Sequence, residues 1–297
     1  MAKFVPDVKT DRWVVIAPAR VVRPHDNTPF KDKGVCPFCP GQEAANRELF
    51  RLDGPEGGWG VRVIENKYPI TDWHEVIIHS PDHNKDIDEL PLSQTELILS
   101  TYRQRFNYHV SAGHGTVLIF NNHDVHAGAS ISHPHSQVVV VPRQINLDTI
   151  AREPVQNEAA RTENFVAYCP DFSQWPYELW IAPKDGGKKK EGGQGKNFGE
   201  ITDGEIADLA GLLQRALRFV VTKFSAVGAM HQNVLTADET GDIPYNYYIY
   251  HGEDWYLRII PRLVHRAGFE LGTGLSVNIV DPVEAAREYQ QGLQAPQ

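Results

Sequence analysis

The two halves of this chain repeat one order of motifs, and that repeat limits its possible folds more than any other feature. In each half a short aromatic stretch containing proline precedes a helix-like segment, predicted over 93–110 and 202–224. Each predicted helix leads to strand-like segments, the last of which ends in Pro142-Arg143 or in Pro261-Arg262. The repeat predicts an α+β protein of two similar halves, 1–150 and 151–297.

Both predicted helices begin with the pattern of a capping box, in which an N-cap hydroxyl and a glutamate three residues later satisfy each other's backbone amides. The pairs are Ser93 with Glu96 and Thr202 with Glu205. A further helix is predicted over 282–291. The strand-like segments are 115–120 and 137–141 in the first half, and 232–236 and 255–260 in the second.

The sequence His133-Pro134-His135-Ser136-Gln137 leads into four valines and carries two imidazoles and an amide. Because alternate residues of a strand share a face, we expect His133, His135 and Gln137 to point together and Ser136 to point away. One histidine on a strand is more often a satisfied core residue, but two histidines and a glutamine in phase favour a site. An imidazole that keeps its proton on a backbone carbonyl can attack phosphorus with its other nitrogen.

Small residues precede this strand over 128–132, where Gly128, Ser130 and Ser132 offer backbone amides and two hydroxyls. Such a segment lets phosphate oxygens approach closely without a cationic clamp. On its own it would be an ordinary turn into a strand, but beside His133 and His135 we interpret it as a phosphate-binding segment.

The second half lacks the reactive side chains of the first. Aligning the two Pro-Arg pairs places Gly252, Asp254 and Tyr256 opposite the two histidines and the glutamine. We therefore expect the first half to supply the chemistry and the second to supply walls of the site. A Gly- and Lys-rich segment, 185–199, is predicted to be an inserted loop, and its lysines are more typical of a solvated surface than of a phosphate site.

The composition excludes several classes of protein. A net charge of −9 and an isoelectric point near 5.8 argue against a general nucleic-acid-binding protein. No apolar run approaches the length of a membrane span, so we expect no membrane partner. The N-terminal residues show no secretory signal, and the expectation is a cytoplasmic protein.

Cys36 and Cys39 stand two residues apart in a Cys-Pro-Phe-Cys turn, a spacing that aims two thiolates at one metal ion. Zinc would need two more nitrogen or sulfur ligands, and thirteen histidines offer candidates. His83 and His133 are the best two by position. Two free cysteines at a turn are the alternative, and a zinc ion here would be structural.

Many motifs of this chain, in order, resemble those of the galactose-1-phosphate uridylyltransferase family of the histidine-triad superfamily, which includes ADP-glucose phosphorylases. The resemblance covers nearly the whole chain and implies two tandem histidine-triad-like halves, each an antiparallel sheet with packed helices. The motifs are Arg20-Val-Val-Arg23, Cys36-x2-Cys39, Glu65-Asn66-Lys-Tyr-Pro69, Ser80-Pro-Asp-His83, Asn122, Gly128-Ala-Ser130 and His133-Pro-His135-Ser-Gln137.

The resemblance implies that His135 attacks the α-phosphorus of a sugar nucleotide and releases a sugar 1-phosphate, after which a second acceptor takes the nucleotide. Gln137 then donates to a phosphoryl oxygen; in hydrolytic relatives this position is a third histidine, so glutamine favours transfer. A homodimer is also implied. The implied zinc ligands are Cys36, Cys39, His83 and His133, and the implied nucleotide- and phosphate-binding residues are Arg20, Arg23, Asn66, Asn122, Gly128, Ser130 and Ser132.

The chain departs from the family pattern before its second Pro-Arg. Many relatives carry a pair of histidines there for a second metal, whereas this chain has Asp254-Trp255-Tyr256. We expect the second metal site to be absent; His251 and Asp254 are the alternative ligands in this stretch.

Three functions follow from these observations. The leading hypothesis is a UDP-glucose:hexose-1-phosphate uridylyltransferase. The second is an ADP-glucose phosphorylase, in which phosphate discharges an adenylyl-histidine. The third, from another class, is a zinc-containing sugar-nucleotide-binding protein without catalysis.

Overall fold

A computed structural model describes residues 2–7, 13–22, 35–55, 57–145, 147, 154–184, 196–228, 243–250, 252 and 254–294. Within them the four α-helices are α1 (Leu92–Ser111), α2 (Asp203–Gly228), α3 (Gly268–Thr273) and α4 (Pro282–Gln294). The strands are β1 (Lys3–Pro6), β2 (Trp13–Ile16), β3 (Glu48–Asp53), β4 (Trp59–Glu65), β5 (His74–Ile78), β6 (Thr116–His123), β7 (His135–Val141), β8 (Glu158–Arg161), β9 (Phe165–Tyr168), β10 (Leu179–Pro183), β11 (Tyr245–Ile249) and β12 (Leu257–Pro261).

Ten of these strands form one sheet in the order β3-β4-β5-β7-β6-β11-β12-β10-β9-β8, and every neighbouring pair is antiparallel. From one edge of the sheet to its centre, the strands of the first half are ordered β3-β4-β5-β7-β6. From the other edge to the centre, the strands of the second half are ordered β8-β9-β10-β12-β11, which is the same pattern. The two half-sheets meet where β6 pairs with β11. The predicted α+β class with antiparallel sheets is confirmed, and the halves share one continuous sheet.

The main core lies between one face of this sheet and the helices α1, α2 and α4. The four valines of β7 fit this arrangement, because both faces of the strand are covered and all seven of its residues are buried. On the opposite face each half carries a smaller cluster. The clusters are Phe38, Trp59, Ile64, Val76 and Ile78 in the first half, and Val166, Tyr168, Trp180, Ala182 and Tyr256 in the second.

The first predicted helix is confirmed as α1, but its predicted N-cap and capping box are wrong. α1 begins at Leu92, with Pro91 as N-cap, so Ser93 lies inside the helix. The carbonyl of Pro91 accepts the amides of Gln94 and Thr95, at 2.9 and 3.3 Å, so the helical hydrogen bonds begin two residues before Ser93.

The predicted capping box of the second helix is confirmed. The amide of Glu205 donates to the Thr202 hydroxyl at 3.2 Å, and the Thr202 amide donates to the Glu205 carboxylate at 2.7 Å. The predicted C-terminal helix is confirmed as α4, where Asp281 accepts the Val283 amide at 2.8 Å. The predicted strand 232–236, the boundary near residue 150 and most of the loop 185–199 lie outside the described residues.

A buried ion pair joins the sheet to α1. Arg105 donates to both carboxylate oxygens of Glu75 at 2.8 and 2.6 Å, and His109 contacts the same carboxylate at 2.9 Å. None of the helices in the described part of the chain combines the length and apolar character of a membrane span.

Candidate active site

His135 is the first residue of β7 and is buried, opposite Ile78 of β5. Its Nδ1 lies 2.9 Å from the backbone carbonyl oxygen of His133, which can only accept a hydrogen bond. Burial lowers the pKa of the His135 imidazole to about 4, with His79 and His133 contributing, so the ring is neutral at pH 7. The proton is therefore on Nδ1, and Nε2 carries the lone pair.

Two cavities meet at His135. The first has a volume of about 290 Å³ and combines an apolar wall with amide side chains. The second, of about 350 Å³, is more polar. The first is lined by Phe38, Asn46, Ile64, Asn66, Tyr68, Val76, Ser130, His135 and Gln137 among others, and the second by His83, Asp86, Asn122, His123, Ser132, His133 and His135 among others.

Gln137 lies two residues along β7 from His135 and lines the same first cavity, as the strand alternation predicts. Its Oε1 is 2.9 Å from Nε2 of His74, a contact that the sequence analysis did not anticipate. Ser136 points to the other face, where it meets Tyr102 of α1. His133 precedes the strand, and its ring turns towards the two cysteines rather than along the row with Gln137.

The predicted phosphate-binding segment curves around the same region. Gly128 has a φ of +96°, a left-handed conformation that favours glycine. Ser130 lines the first cavity, and Ser132 lines the second, with its hydroxyl 3.2 Å from Nε2 of His83. Asn122 lines the second cavity, where its Oδ1 accepts from Asn246 at 2.9 Å.

Two more of the predicted nucleotide-binding residues, Asn66 and Arg20, lie near the first cavity. Asn66 lines it and accepts the Tyr68 amide at 2.8 Å. Arg20 reaches the same loop, because its guanidinium donates to the Tyr68 carbonyl at 2.6 Å. Arg23 lies outside the described residues, as does His251.

Cys36, Cys39, His83 and His133 form a cluster whose four ligand atoms all lie within 4.8 Å of one another. Nδ1 of His133 is 3.8 Å from Sγ of Cys36 and 3.7 Å from Sγ of Cys39, and Nδ1 of His83 is 3.2 Å from Sγ of Cys39. Among the residues described, this is the one group of three or more His, Cys, Asp or Glu side chains that could hold a metal ion.

The donor set fits zinc. With bonds of about 2.3 Å to sulfur and 2.0 Å to nitrogen, a tetrahedral site separates its ligand atoms by about 3.5 Å. His133 donates from Nε2 to the Ser80 carbonyl at 2.8 Å, which leaves Nδ1 unprotonated towards the cysteines. Burial and the adjacent Cys39 raise the pKa of the Cys36 thiol to about 11, so paired thiolates there need a cation.

A buried polar network behind β7 was missed by the sequence analysis. His79 contacts Ser136 Oγ at 2.7 Å and Asp86 at 3.1 Å, and the Tyr102 hydroxyl contacts Tyr247 at 2.7 Å. Burial opposes ionisation of Asp86, but hydrogen bonds from His123 and His79 hold its pKa well below the usual range. The hydrogen-bonded series Ser136, His79 and Asp86 has the residue types of a hydrolytic triad. However, Ser136 is buried under α1 and lines neither cavity. We therefore interpret the network as structural.

The second half fills the corresponding region with aromatic rings and an ion pair. Tyr256 is stacked between Trp180 and Tyr250, with centroid distances of 4.1 and 5.0 Å. Arg258 donates to both oxygens of Glu178, at 2.7 and 2.8 Å. No imidazole of the described residues stands among them.

A family model for the N-terminal domain of galactose-1-phosphate uridyl transferase matches residues 73–142, which contain β5, α1, β6 and β7. ADP-glucose phosphorylase of Arabidopsis thaliana is 29% identical, over 95% of this chain and 90% of that protein. Galactose-1-phosphate uridylyltransferase of Thermotoga maritima is 25% identical, over 59% of this chain and 64% of that protein.

A crystal structure of the Arabidopsis thaliana ADP-glucose phosphorylase with bound ADP-glucose is similar over 98% of this chain and 99% of the other. The TM-score is 0.68 at 26% identity. The resemblance predicted from the sequence is therefore confirmed, and it extends to the transferases and phosphorylases of that family.

Proposed function

From this resemblance and from the geometry at His135, we propose that the protein transfers a nucleotidyl group through a covalent nucleotidyl-His135. The observation that carries the proposal is the orientation of the His135 ring. Its Nδ1–H is held by the His133 carbonyl, so the unprotonated Nε2 is directed to the junction of two cavities.

The first step forms a bond from Nε2 of His135 to the α-phosphorus of a sugar nucleotide. The electron pair of the α-phosphorus–oxygen bond leaves with the β-phosphate, which departs as a sugar 1-phosphate. In the second step an acceptor phosphate oxygen attacks the same phosphorus and His135 regains its lone pair. Each step is a substitution at phosphorus, with no net oxidation.

Gln137 supports the first step by donating a hydrogen bond to an α-phosphoryl oxygen as negative charge grows there. Ser130 borders the same cavity, and its hydroxyl is the second donor in the proposal. Asn66 and Arg20 bind the nucleotide at the Tyr68 loop, while Gly128, Asn122 and Ser132 contact the departing or entering phosphate.

We favour ADP-glucose as donor and inorganic phosphate as acceptor. Support comes from the Arabidopsis ADP-glucose phosphorylase, which aligns over 95% of this chain, against 59% for the Thermotoga uridylyltransferase. UDP-glucose with a hexose 1-phosphate as acceptor is the second candidate, favoured by the family model over 73–142.

One zinc ion would be held by Cys36, Cys39, His83 and His133, and its contribution is structural because four protein ligands leave no open position. We further propose that residues 1–150 and 151–297 are the two halves of a duplicated unit. The second half then contributes walls of the site rather than a nucleophile.

The test is intact-protein mass spectrometry after brief incubation with ADP-glucose or with UDP-glucose. The protein should gain the mass of one AMP with the first donor, and phosphate should remove it. His135→Asn should form no adduct, while His126→Asn, a change of an exposed histidine outside both cavities, should react normally. A UMP adduct alone would select the second candidate, and the absence of any adduct would overturn covalent transfer.

A further inference from the structure

His74 sits on β5 beside Gln137, although neither the transfer chemistry nor the zinc site accounts for it. Val76 pairs with Gln137 across β5 and β7, and His74 is two residues away on the same face. Its side chain is buried, as is that of Gln137. The two side chains meet at 2.9 Å, from Nε2 of His74 to Oε1 of Gln137.

The loop before β5 fixes the tautomer of His74. The backbone amide of Ile70, which can only donate, lies 2.9 Å from Nδ1 of His74. Nδ1 must therefore carry the lone pair, and the proton of the neutral imidazole is on Nε2.

Among the described residues, the amide side chains of Asn66 and Gln137 approach Nε2 of His74, and of these two Gln137 presents an acceptor. Asn66 uses its Oδ1 to accept the Tyr68 amide at 2.8 Å, which turns its Nδ2 towards His74 at 3.1 Å. The Nε2–H of His74 therefore donates to Oε1 of Gln137. A flipped Gln137 would present a second donor to this Nε2–H, as Asn66 already does, and the hydrogen bond to Oε1 would be lost, so this bond selects one of the two amide orientations.

We propose that His74 is a positioning residue that holds the Gln137 amide with its NH₂ group directed into the first cavity, ready to donate to a phosphoryl oxygen. The inference rests on the proposed transfer through His135. Without His74, Gln137 can rotate its carbonyl oxygen towards the phosphoryl group, which would repel rather than stabilise the developing charge.

Two substitutions separate this role from a purely structural one. In His74→Asn, the amide oxygen can still accept from Ile70, but the side chain is too short to reach Gln137. In His74→Gln, the longer amide can donate to Gln137 but no longer serves Ile70. The measurement is the first-order rate of nucleotidyl adduct formation under saturating sugar nucleotide, together with the melting temperature of each variant.

We expect His74→Asn to lower that rate by about 10- to 100-fold with little change in melting temperature, and His74→Gln to keep most of the rate. In a Gln137→Ala background, His74→Asn should cause no further loss. The proposal would be overturned if His74→Gln lost as much of this rate as His74→Asn, or more. It would also be overturned if His74→Asn lowered the rate by the same factor in the Gln137→Ala background.

A second readout is independent of catalysis. Long-range ¹H–¹⁵N correlations of the His74 ring, assigned by their disappearance in His74→Gln, should show the proton on Nε2. A proton on Nδ1 would overturn the proposal even in an active enzyme. If the wild-type protein formed no adduct, the proposed function would fail while the tautomer experiment still decided the hydrogen bond.

Discussion

The Nδ1 atom of His135 lies 2.9 Å from the carbonyl oxygen of His133, so a hydrogen bond across one intervening residue, Pro134, joins the candidate nucleophile to a candidate zinc ligand. His133 is itself held from two sides, by the cysteines at Nδ1 and by the Ser80 carbonyl at Nε2. Fixing the His133 ring fixes the carbonyl that orients His135. The candidate zinc cluster can therefore influence the proposed transfer without touching substrate.

The attachment point of the nucleotide follows directly. Because Nδ1 of His135 carries the proton, we expect the phosphorus–nitrogen bond to form at Nε2 only. The measurement is ³¹P and ¹⁵N NMR of the trapped adduct on protein with labelled histidine. An adduct on Nδ1 would show that the His135 ring flips before it reacts.

Removal of one cluster ligand should release the metal. We expect the wild-type protein to contain about one zinc per chain, and Cys39→Ser to contain far less and to melt at a lower temperature. Metal analysis after dialysis and thermal unfolding measure the two effects. Cys169→Ala is the matched control, since Cys169 is a buried cysteine outside the cluster. Equal metal content in Cys39→Ser and wild type would contradict the assignment.

The buried hydroxyl of Tyr102 should stabilise the fold. It contacts Ser136, Tyr247 and His79, so its removal leaves these groups short of a partner. We expect Tyr102→Phe to lower the free energy of unfolding by about 1–3 kcal/mol in urea titrations. Tyr108→Phe, at an exposed position of the same helix, should change it by less than about 0.5 kcal/mol. Similar values for both variants would argue that the network contributes nothing.

Local signals were enough to predict the strand of His135 and the turn that brings Cys36 and Cys39 together, and the repeat of the two halves was enough to predict the α+β class. His135 and Gln137 share a face because a strand alternates, and the Cys36–Cys39 spacing aims two thiols at one point. Thr202 caps its helix as predicted because its partner Glu205 lies three residues away. The strand, the cysteine turn and the helix cap each depend on residues close together in the chain.

Features that depend on distant residues could not be predicted in the same way. A local pattern also failed at the first helix, where Ser93 and Glu96 fit a capping box but the N-cap is Pro91. In the sequence, nothing distinguishes His74 from other strand residues. It lies near Gln137 only because β5 pairs with β7. Its role needs the register that sets His74 beside Gln137, and no local pattern specifies that register.

Asp88 should lower the free energy of unfolding as the pH rises, whereas most carboxylates in folded proteins raise it. It is buried beside Asp86, and burial, followed by the charge of Asp86, raises its pKa to about 6 from an ordinary value of 3.8. Above pH 6 the carboxylate is ionised in both states, and its burial costs the folded protein about 3 kcal/mol at most. Below pH 4 it is neutral in both states and the cost vanishes.

The substitution Asp88→Asn removes this charge and should raise the free energy of unfolding at pH 8 by about 1–3 kcal/mol. The gain should shrink steadily as the pH falls from 6 to 4, because the wild-type carboxyl then takes up its proton in the folded state. Urea unfolding of both proteins at pH 8, 6 and 4.5 measures the difference. Glu89→Gln, at the exposed neighbouring position, is the control and should show little gain at any pH. A gain for Asp88→Asn that did not vary with pH would mean that the carboxylate is not the cause.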